Sequence, residues 1–508
     1  MKYLIGVDLG TSATKTIIMD QEGRIAASAS RSYPLYEPAN GWAEQDPHDW
    51  RDAVMATIRE VVCKAGVPAE DVAGIGLSGQ MHGLVMLDKD AQVLSRSIIW
   101  CDARAKKQED EMFRMLPAEA WMEHTGNPPL AGWTAAKLLW VRENRPDLYA
   151  KCRHILLPKD YVRYELTGVF ATDVSDASGM QMLDVKNRCW SKEVLKKLDV
   201  DEEMLAKVYE SADITGYLRP KIAAELGLTT RTAVAAGGSD NACAALGTGV
   251  VQEGQAFTTI GTSAVVYTHL DHYTQIPGGG LHMCCCAVPG CWHTMGGPQS
   301  AGLSVEWFKN GFCQDLTAQA KAEGCSFYDL MNELAEKIPV GSDKLIYLPF
   351  LMGERTPHLQ ADYRGAFLGL NTVHTKAHML RAIMEGIVYC LADCNELLRD
   401  QGVRVRTMRV CGGGSRSPLW RRMMADLYEC DVRTLCQEEG PAYGGAVLAG
   451  AGTNVFSSVQ DACSRFIKEK DRTLLNSEEA EIYKRYHRIY KRMYESLLDS
   501  YLELAKVD

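Results

Sequence analysis

The stretch AVAAGGSDNACAALGTG at 233–249 carries a single carboxylate, Asp240, between two glycines and a run of small residues. Residues 233–236 read as the end of a buried strand, the glycines as a turn, and 241–247 as the start of a tightly packed helix. A carboxylate on such a turn is held rigidly by its backbone and can project into a cleft, where it would accept a proton from a reacting group. Read alone, Asp240 is equally a helix cap. Three loops supply a second kind of chemistry. In Asp8-Leu9-Gly10-Thr11-Ser12, Gly10 lets backbone N–H groups approach an anion, Thr11 and Ser12 add hydroxyls, and Lys15 adds a positive charge. Ile260-Gly261-Thr262-Ser263 repeats the strand–turn–strand layout, and Cys411-Gly412-Gly413-Gly414-Ser415 follows a third strand-like run and precedes a helix-like segment from Pro418. Each is an ordinary turn by itself. Together they are the parts that clamp the phosphates of a nucleoside triphosphate. No GxxxxGK[ST] run is present, so this is not a P-loop.

The elements that must carry these loops follow from the pattern around them. Two strand–turn–strand units roughly 250 residues apart imply an internal duplication, with one loop offered to a central cleft by each lobe. Residues 46–64 read as a helix with Asp46 as N-cap, Pro47 at its first position and Trp50, Val54, Ile58 and Val61 facing the core. Residues 71–87 read as strand, polar loop (Ser78-Gly79-Gln80-Met81-His82-Gly83) and strand, which sets His82 at a sheet edge or cleft. In IIWCDAR at 98–104, Asp102 and Arg104 follow an apolar run; they hold sugar hydroxyls or pair with each other. Helices are expected from 132 to 144, over about 376–399, and from 477 to 506. For the last, Ile482, Tyr486, Ile489, Met493 and Leu497 form the predicted buried stripe.

At 508 residues the chain should hold two or more domains, and 46% hydrophobic with 24% charged residues describes a globular protein. The net charge of −10 is spread along the chain, which argues against nucleic acid or an anionic membrane as partner. No basic segment followed by an apolar one opens the chain, and no apolar run approaches the ~18 residues of a membrane span, so a cytoplasmic protein is expected. The 17 cysteines include no CxxC pair. Cys284-Cys285-Cys286, with His282 and Cys291 nearby, stands out, but adjacent cysteines do not converge on one metal, and reduced, mostly buried thiols are the expected reading.

DLGTSATK, GWTAAKLLWVREN, GGSDNACAALGTG, IGTSAVVY, GAFLGL at 365–370, RAIMEG at 381–386 and CGGGSRS, in this order, resemble the FGGY family of carbohydrate kinases from about residue 3 to 495. Within it, GQMHG at 79–83, GWAEQDP at 41–47, LLPKDY at 156–161, DVSDASG at 173–179 and LPFLMGERTPH at 348–358 are most similar to the branch that phosphorylates D-xylulose. The resemblance implies an α/β protein with the duplicated, ribonuclease H-like fold of actin-like ATPases. Two lobes, 1–250 and 251–508, would each hold a mixed five-stranded sheet and close over a cleft, with the terminal helix on either lobe. It implies ATP and Mg2+ as cofactors, a pentulose as substrate and a homodimer as a reasonable assembly.

By the same resemblance Asp240 is the general base and Asp8 positions the metal through water, with Asp240 beside it. Met81, His82 and Asn241 contact the sugar, and Trp100, Asp102 and Trp133 extend its pocket. Gly10, Thr11, Ser12 and Lys15 face the transferred phosphoryl group, and Gly261 and Thr262 the other phosphates. Gly302, Glu306, Gly412, Gly413, Gly414 and Ser417 hold the rest of the nucleotide. The alternatives are a kinase for another pentulose or polyol (D-ribulose, L-xylulose or a glycerol-like substrate) and a nucleotide-gated binding or chaperone protein of the same superfamily.

Overall fold

The structure is a computed structural model that describes residues 1–354, 356–436 and 440–507. Arg355, within the 348–358 motif, and Glu438 and Glu439, at the glycine turn before residue 440, lie outside the described residues.

Tyr3–Leu9 (β1), Ala13–Asp20 (β2) and Ile25–Ser32 (β3) form an antiparallel meander, because apolar alternation is broken twice by short polar turns. Helix Pro47–Ala65 (α1) starts at Asp46, whose carboxylate accepts the His48 N–H, and stops at Gly66 in the left-handed region. Its Trp50, Val54, Ile58 and Val61 are fully buried. The chain returns as Val72–Gly79 (β4), parallel to β1. An excursion then carries helices Thr134–Asn144 (α2) and Pro158–Thr167 (α3). Ile214–Tyr217 (β5) and Ala233–Ala235 (β6) complete the sheet in the order β5-β6-β4-β1-β2-β3, and helix Asp240–Gly247 (α4) leaves it.

The second half repeats the plan. Gln255–Ile260 (β7) and Ala264–Leu270 (β8) form its hairpin, followed by His282–Cys285 (β9), Trp292–Gly296 (β10), helices Gly302–Phe312 (α5) and Lys376–Asp400 (α6), Thr407–Cys411 (β11), Pro418–Tyr428 (α7), Asp431–Leu435 (β12), Gly440–Gly452 (α8), Glu469–Thr473 (β13) and Ser477–Leu504 (α9). The order is β9-β10-β8-β7-β11-β12-β13. In both sheets two antiparallel pairings are followed by two parallel ones, β3-β2-β1-β4-β6 and β10-β8-β7-β11-β12. Among the described residues each sheet has seven strands where five were expected. In the first, β5 adds an edge and Gly238–Ser239 pairs with β4 beyond β6; in the second, β9 and β13 add both edges.

The two halves interlock. Helix α8, from the second half, lies across β1 and β4 of the first sheet and against α4. The approach is backbone to backbone: a Cβ on Gly6 or Gly76 would overlap the carbonyl oxygens of Ala442 and Gly445, and one on Gly444 that of Cys243. In return, Ala245 of α4 and Val250 pack on Phe257 and Tyr267 of the second sheet. The excursion also reaches across, since Asn127 pairs with both main-chain groups of Met283 (2.7 and 2.9 Å) and Cys285 N–H donates to Ser178 at 3.0 Å.

Helix α9 packs on α6 and α7 of the second half. Its buried face is Tyr483, His487, Tyr490, Tyr494 and Tyr501, while Ile482 is 41% exposed. The apolar stripe expected from periodicity is thus only a flank, because phenol rings and an imidazole form the contact. Tyr483 accepts from Arg381 at 2.7 Å, and His487 lies 2.6 Å from Asp393 and 3.4 Å from Glu396. Burial alone would lower the His487 pKa, but bonds to Asp393 and then Glu396 raise it to about 9. A pKa raised on folding stabilises fully below the unfolded value, ~6.5, and is lost as pH rises through the folded one. The tail anchor should therefore weaken between pH 6.5 and 9.5 by on the order of 2–3 kcal/mol. Thermal melts across that range should show a loss that His487→Gln lacks; parallel pH profiles for the two proteins would refute it.

Candidate functional site

Asp8 closes β1 opposite Lys15 of β2, and opposite Ser78 of β4 on its other side. Ser78 pairs in turn with Gly238, two residues before Asp240. The two carboxylates therefore stand at the carboxyl ends of neighbouring parallel strands, the edge at which open α/β sheets bind ligands. Ser239, and not Asp240, caps helix α4, through its hydroxyl and the Ala242 N–H. Asp240 is left to face the groove. One of its oxygens accepts from the Asn241 N–H at 2.7 Å and from the Asn241 side chain at 3.0 Å. Desolvation first, then the charge of Asp8, raises the Asp240 pKa to about 7. Desolvation raises Asp8 to about 6 against the Ser78 hydroxyl (3.3 Å) and the charge of Lys15. An ordinary aspartate is a weak base; here the surroundings bring Asp240 into the range where general bases operate.

The turn at Gly10, Thr11 and Ser12 is braced from below. Gly10 N–H donates to Ala13 O at 3.1 Å, Gln45 donates to Thr11 O at 2.6 Å, Gln80 donates to Gln45 at 2.8 Å, and Trp100 donates to the Thr11 hydroxyl at 2.8 Å. Gln45 and Gln80 sit inside the motifs 41–47 and 79–83, yet no sequence signal assigned them this role. Met81 lies buried, 3.9 Å from the Asn241 amide.

His82 takes a left-handed backbone, φ 68°, uncommon for a side chain of its size. Its carbonyl is gripped by Lys137 at 2.9 Å and Thr134 at 3.1 Å, and its ring stacks on Trp133 with centroids 4.6 Å apart. Nδ1 lies 2.8 Å from the Gly179 carbonyl, so a neutral ring donates there. A Cβ on Gly179 would collide with that ring. Asp102 takes the pairing reading: it accepts from Arg104 at 2.7 Å and from Ala43 N–H at 2.6 Å, tying 98–104 to the loop before α1.

Behind the Asp240 turn lies a fully buried charge cluster. Lys159 of α3 meets Asp160 at 2.6 Å, Asp173 at 2.8 Å and Asp176 at 3.4 Å, and Arg163 lies 4.0 Å from Asp160. Asp173 accepts from the Ser175 and Ser211 hydroxyls at 2.6 and 2.7 Å, and Ser175 accepts the Ser239 N–H at 3.0 Å. Burial drives the Asp176 pKa well up against the pull of Lys159.

A cavity of about 770 Å3 in the second half brings together Gly261, Thr262, Gly302, Glu306, Gly413, Gly414 and Ser417. Gly302 and Leu303 N–H bond Gly261 O and Thr262 O at 2.9 and 3.0 Å, fixing that turn on the start of α5. Glu306 is held by Lys309 and Tyr328, and Ser417 caps α7 while donating to Asn332 at 2.6 Å. Tyr328, Asn332 and Trp420 line this cavity without a motif to announce them. Gly412 lies instead in a groove of about 350 Å3 between the halves, shared with Asp240 and Asn241.

The profile described as "FGGY family of carbohydrate kinases, N-terminal domain" matches residues 3–247, and its C-terminal counterpart matches 256–453. The xylulose kinase of Bacillus subtilis (strain 168) is 38% identical over 97% of this chain and 97% of its own. A solved ligand-bound xylulose kinase from Lactobacillus acidophilus superposes with a TM-score of 0.92 at 27% identity, covering 99% of this chain and 100% of that one. A gluconate kinase from the same organism has the same TM-score and identity, covering 99% of each chain.

Proposed function

Because the chain belongs to the FGGY family of carbohydrate kinases in both of its halves, we propose that it transfers the γ-phosphoryl group of ATP to the terminal hydroxyl of D-xylulose, with Asp240 as general base. The observation that carries this reading is the groove in which Asp240 and Gly412 face each other. Asn241 of this groove reaches Met81, and Gly412 of this groove is followed in the chain by Gly413 and Gly414 of the second-half cavity. Similarity to xylulose kinases over nearly the whole chain supports the sugar. The equal structural likeness to a gluconate kinase means that the fold by itself does not select it.

In this reading the sugar lies over Met81 and against His82. Asp240, held by Asn241, orients the terminal hydroxyl and takes its proton as the new O–P bond forms. Phosphoryl transfer needs in-line positioning and neutralisation of charge more than covalent help. The N–H groups and hydroxyls of the Gly10–Ser12 turn with Lys15, and those of Gly261 and Thr262, supply that at the phosphates; Gly413, Gly414 and Ser417 lie at the adenosine end. Two neighbouring carboxylates with upward-shifted pKa values are a hard-oxygen set of the kind Mg2+ takes, so Asp8, through water, and Asp240 would hold that ion, which when bound supplies charge neutralisation.

The test is ADP release with MgATP against D-xylulose, D-ribulose, L-xylulose, gluconate, glycerol and no sugar. The expected result is highest kcat/KM for D-xylulose and sugar-free hydrolysis at a small fraction of transfer, since lobe closure on sugar excludes water. Preference for another acceptor would discard the reading of Met81 and His82, and sugar-independent ADP release would discard transfer.

A further inference from the structure

The Cys284-Cys285-Cys286 run acquires a different meaning once it is in a sheet. Side chains alternate along a strand, so Cys284 and Cys286 share one face and Cys285 takes the other, where it donates to Val185 O at 3.3 Å. Register places Cys284 opposite His293, and His293 opposite His269. At the end of this hairpin, Cys286 N–H bonds Cys291 O at 3.1 Å, which sets those two cysteines against each other. Adjacency along the chain is therefore no obstacle to a metal, because only Cys286 of the run meets Cys291, across the turn that joins β9 to β10, and His269 of β8.

Cys286 Sγ lies 3.8 Å from His269 Nδ1, and the Cys291 thiol interacts with both Cys286 and His269. His269 Nε2 lies 3.1 Å from Asp271. One ligand atom each from His269, Asp271 and Cys291 fall within 4.8 Å of one another. Cys286 Sγ also accepts from Val288 N–H and donates to Val288 O, both at 3.3 Å, which fixes the thiol at the hairpin end. Tetrahedral zinc, at about 2.3 Å from sulfur and about 2.0 Å from nitrogen, requires S···N separations of roughly 3.5 Å. His269 and Cys286 are buried, Cys291 is half-buried and Asp271 is exposed, so the cluster opens to solvent on one side.

We propose that this cluster is a zinc-class cation site, with His269 Nδ1, Cys286 Sγ and Cys291 Sγ as ligands and a fourth position open to water. Asp271 receives the His269 Nε2–H, the carboxylate–histidine arrangement that orients metal-bound imidazoles. Cys286, Ala287 and Val288 pack with Cys243 and Ala442 at the crossing of α4 and α8. The ion pins the hairpin that touches that crossing, so its role is structural. The site is independent of the phosphoryl-transfer reading.

The reduced, chelator-treated full chain is titrated with Co2+ alone. Expected are one equivalent bound, a thiolate-to-cobalt charge-transfer band in the near ultraviolet, displacement of the band by Zn2+, and a higher melting temperature with either ion. Cys291→Ser, at the solvent rim, should abolish the band. Asp271→Asn should keep it while weakening the apparent affinity by about 10–100-fold. Cys189→Ser, an exposed thiol elsewhere, should change neither. No charge-transfer band, a band that survives Cys291→Ser, or a Cys286–Cys291 disulfide persisting in reductant would overturn the assignment.

Discussion

Asp240→Asn is expected to lower kcat by about 10²–10⁴-fold, some 3–5 kcal/mol of barrier, with the KM values for sugar and ATP changed little. Asparagine keeps the shape and the contacts with the groove but takes no proton, so the loss falls on the chemical step. The pH dependence separates this role from a structural one. With its pKa raised to about 7, Asp240 becomes protonated as pH falls through neutrality, and kcat/KM of the wild type should fall along an acid limb there. The ratio of wild type to variant should then shrink below pH 7, because protonation removes from the wild type what the substitution removes from the variant. A ratio constant from pH 5.5 to 8.5, or equal losses in kcat and thermal stability, would point to a positioning role instead.

Lys159→Met should carry the largest cost in stability, about 3–5 kcal/mol, read as a melting temperature lower by roughly 5–10 °C. Methionine fills much of the lysine volume, so the effect is electrostatic: Asp160 and Asp173 are left buried with only Arg163 nearby. A second readout ties this cluster to the site. Ser175 accepts the Ser239 N–H, and Ser239 caps the helix that begins with Asp240. Ser175→Ala should therefore reduce kcat while costing less stability than Lys159→Met. A Lys159→Met protein that melts with the wild type would refute the account of the cluster.

The sequence made legible what short-range pattern controls. Strand–turn–strand units at 3–20 and 255–270, the capped helix from Pro47 and the glycine loops at 261 and 412–414 are local, and they lie where periodicity and turn residues place them. Asp240 was visible as a lone carboxylate on a turn, but which residue capped the helix was not, since Ser239 and Asp240 both qualify by type. Tyr328 and Asn332 come from the helix Phe327–Glu336 and Trp420 from α7, and they gather at the cavity only in the folded chain. The tail failed for a different reason. A hydrophobic stripe was sought, but Tyr483 and His487 are buried because Arg381 and Asp393 meet their polar tips, and hydropathy does not register such pairs. The gripped, left-handed His82 and the alternation within the cysteine run depend likewise on partners far along the chain.

Helices α4 and α8 exchange places over each other's sheets, with glycines letting main chain rest on main chain. This makes the molecule a clasp rather than two beads on a string. Recombination that swapped in either half from a distant relative would have to match both sides of the crossing at once, including Gly6, Gly76 and Gly444. A change at the crossing in one half therefore has to be met by a change in the other, so the two halves are coupled where their helices meet.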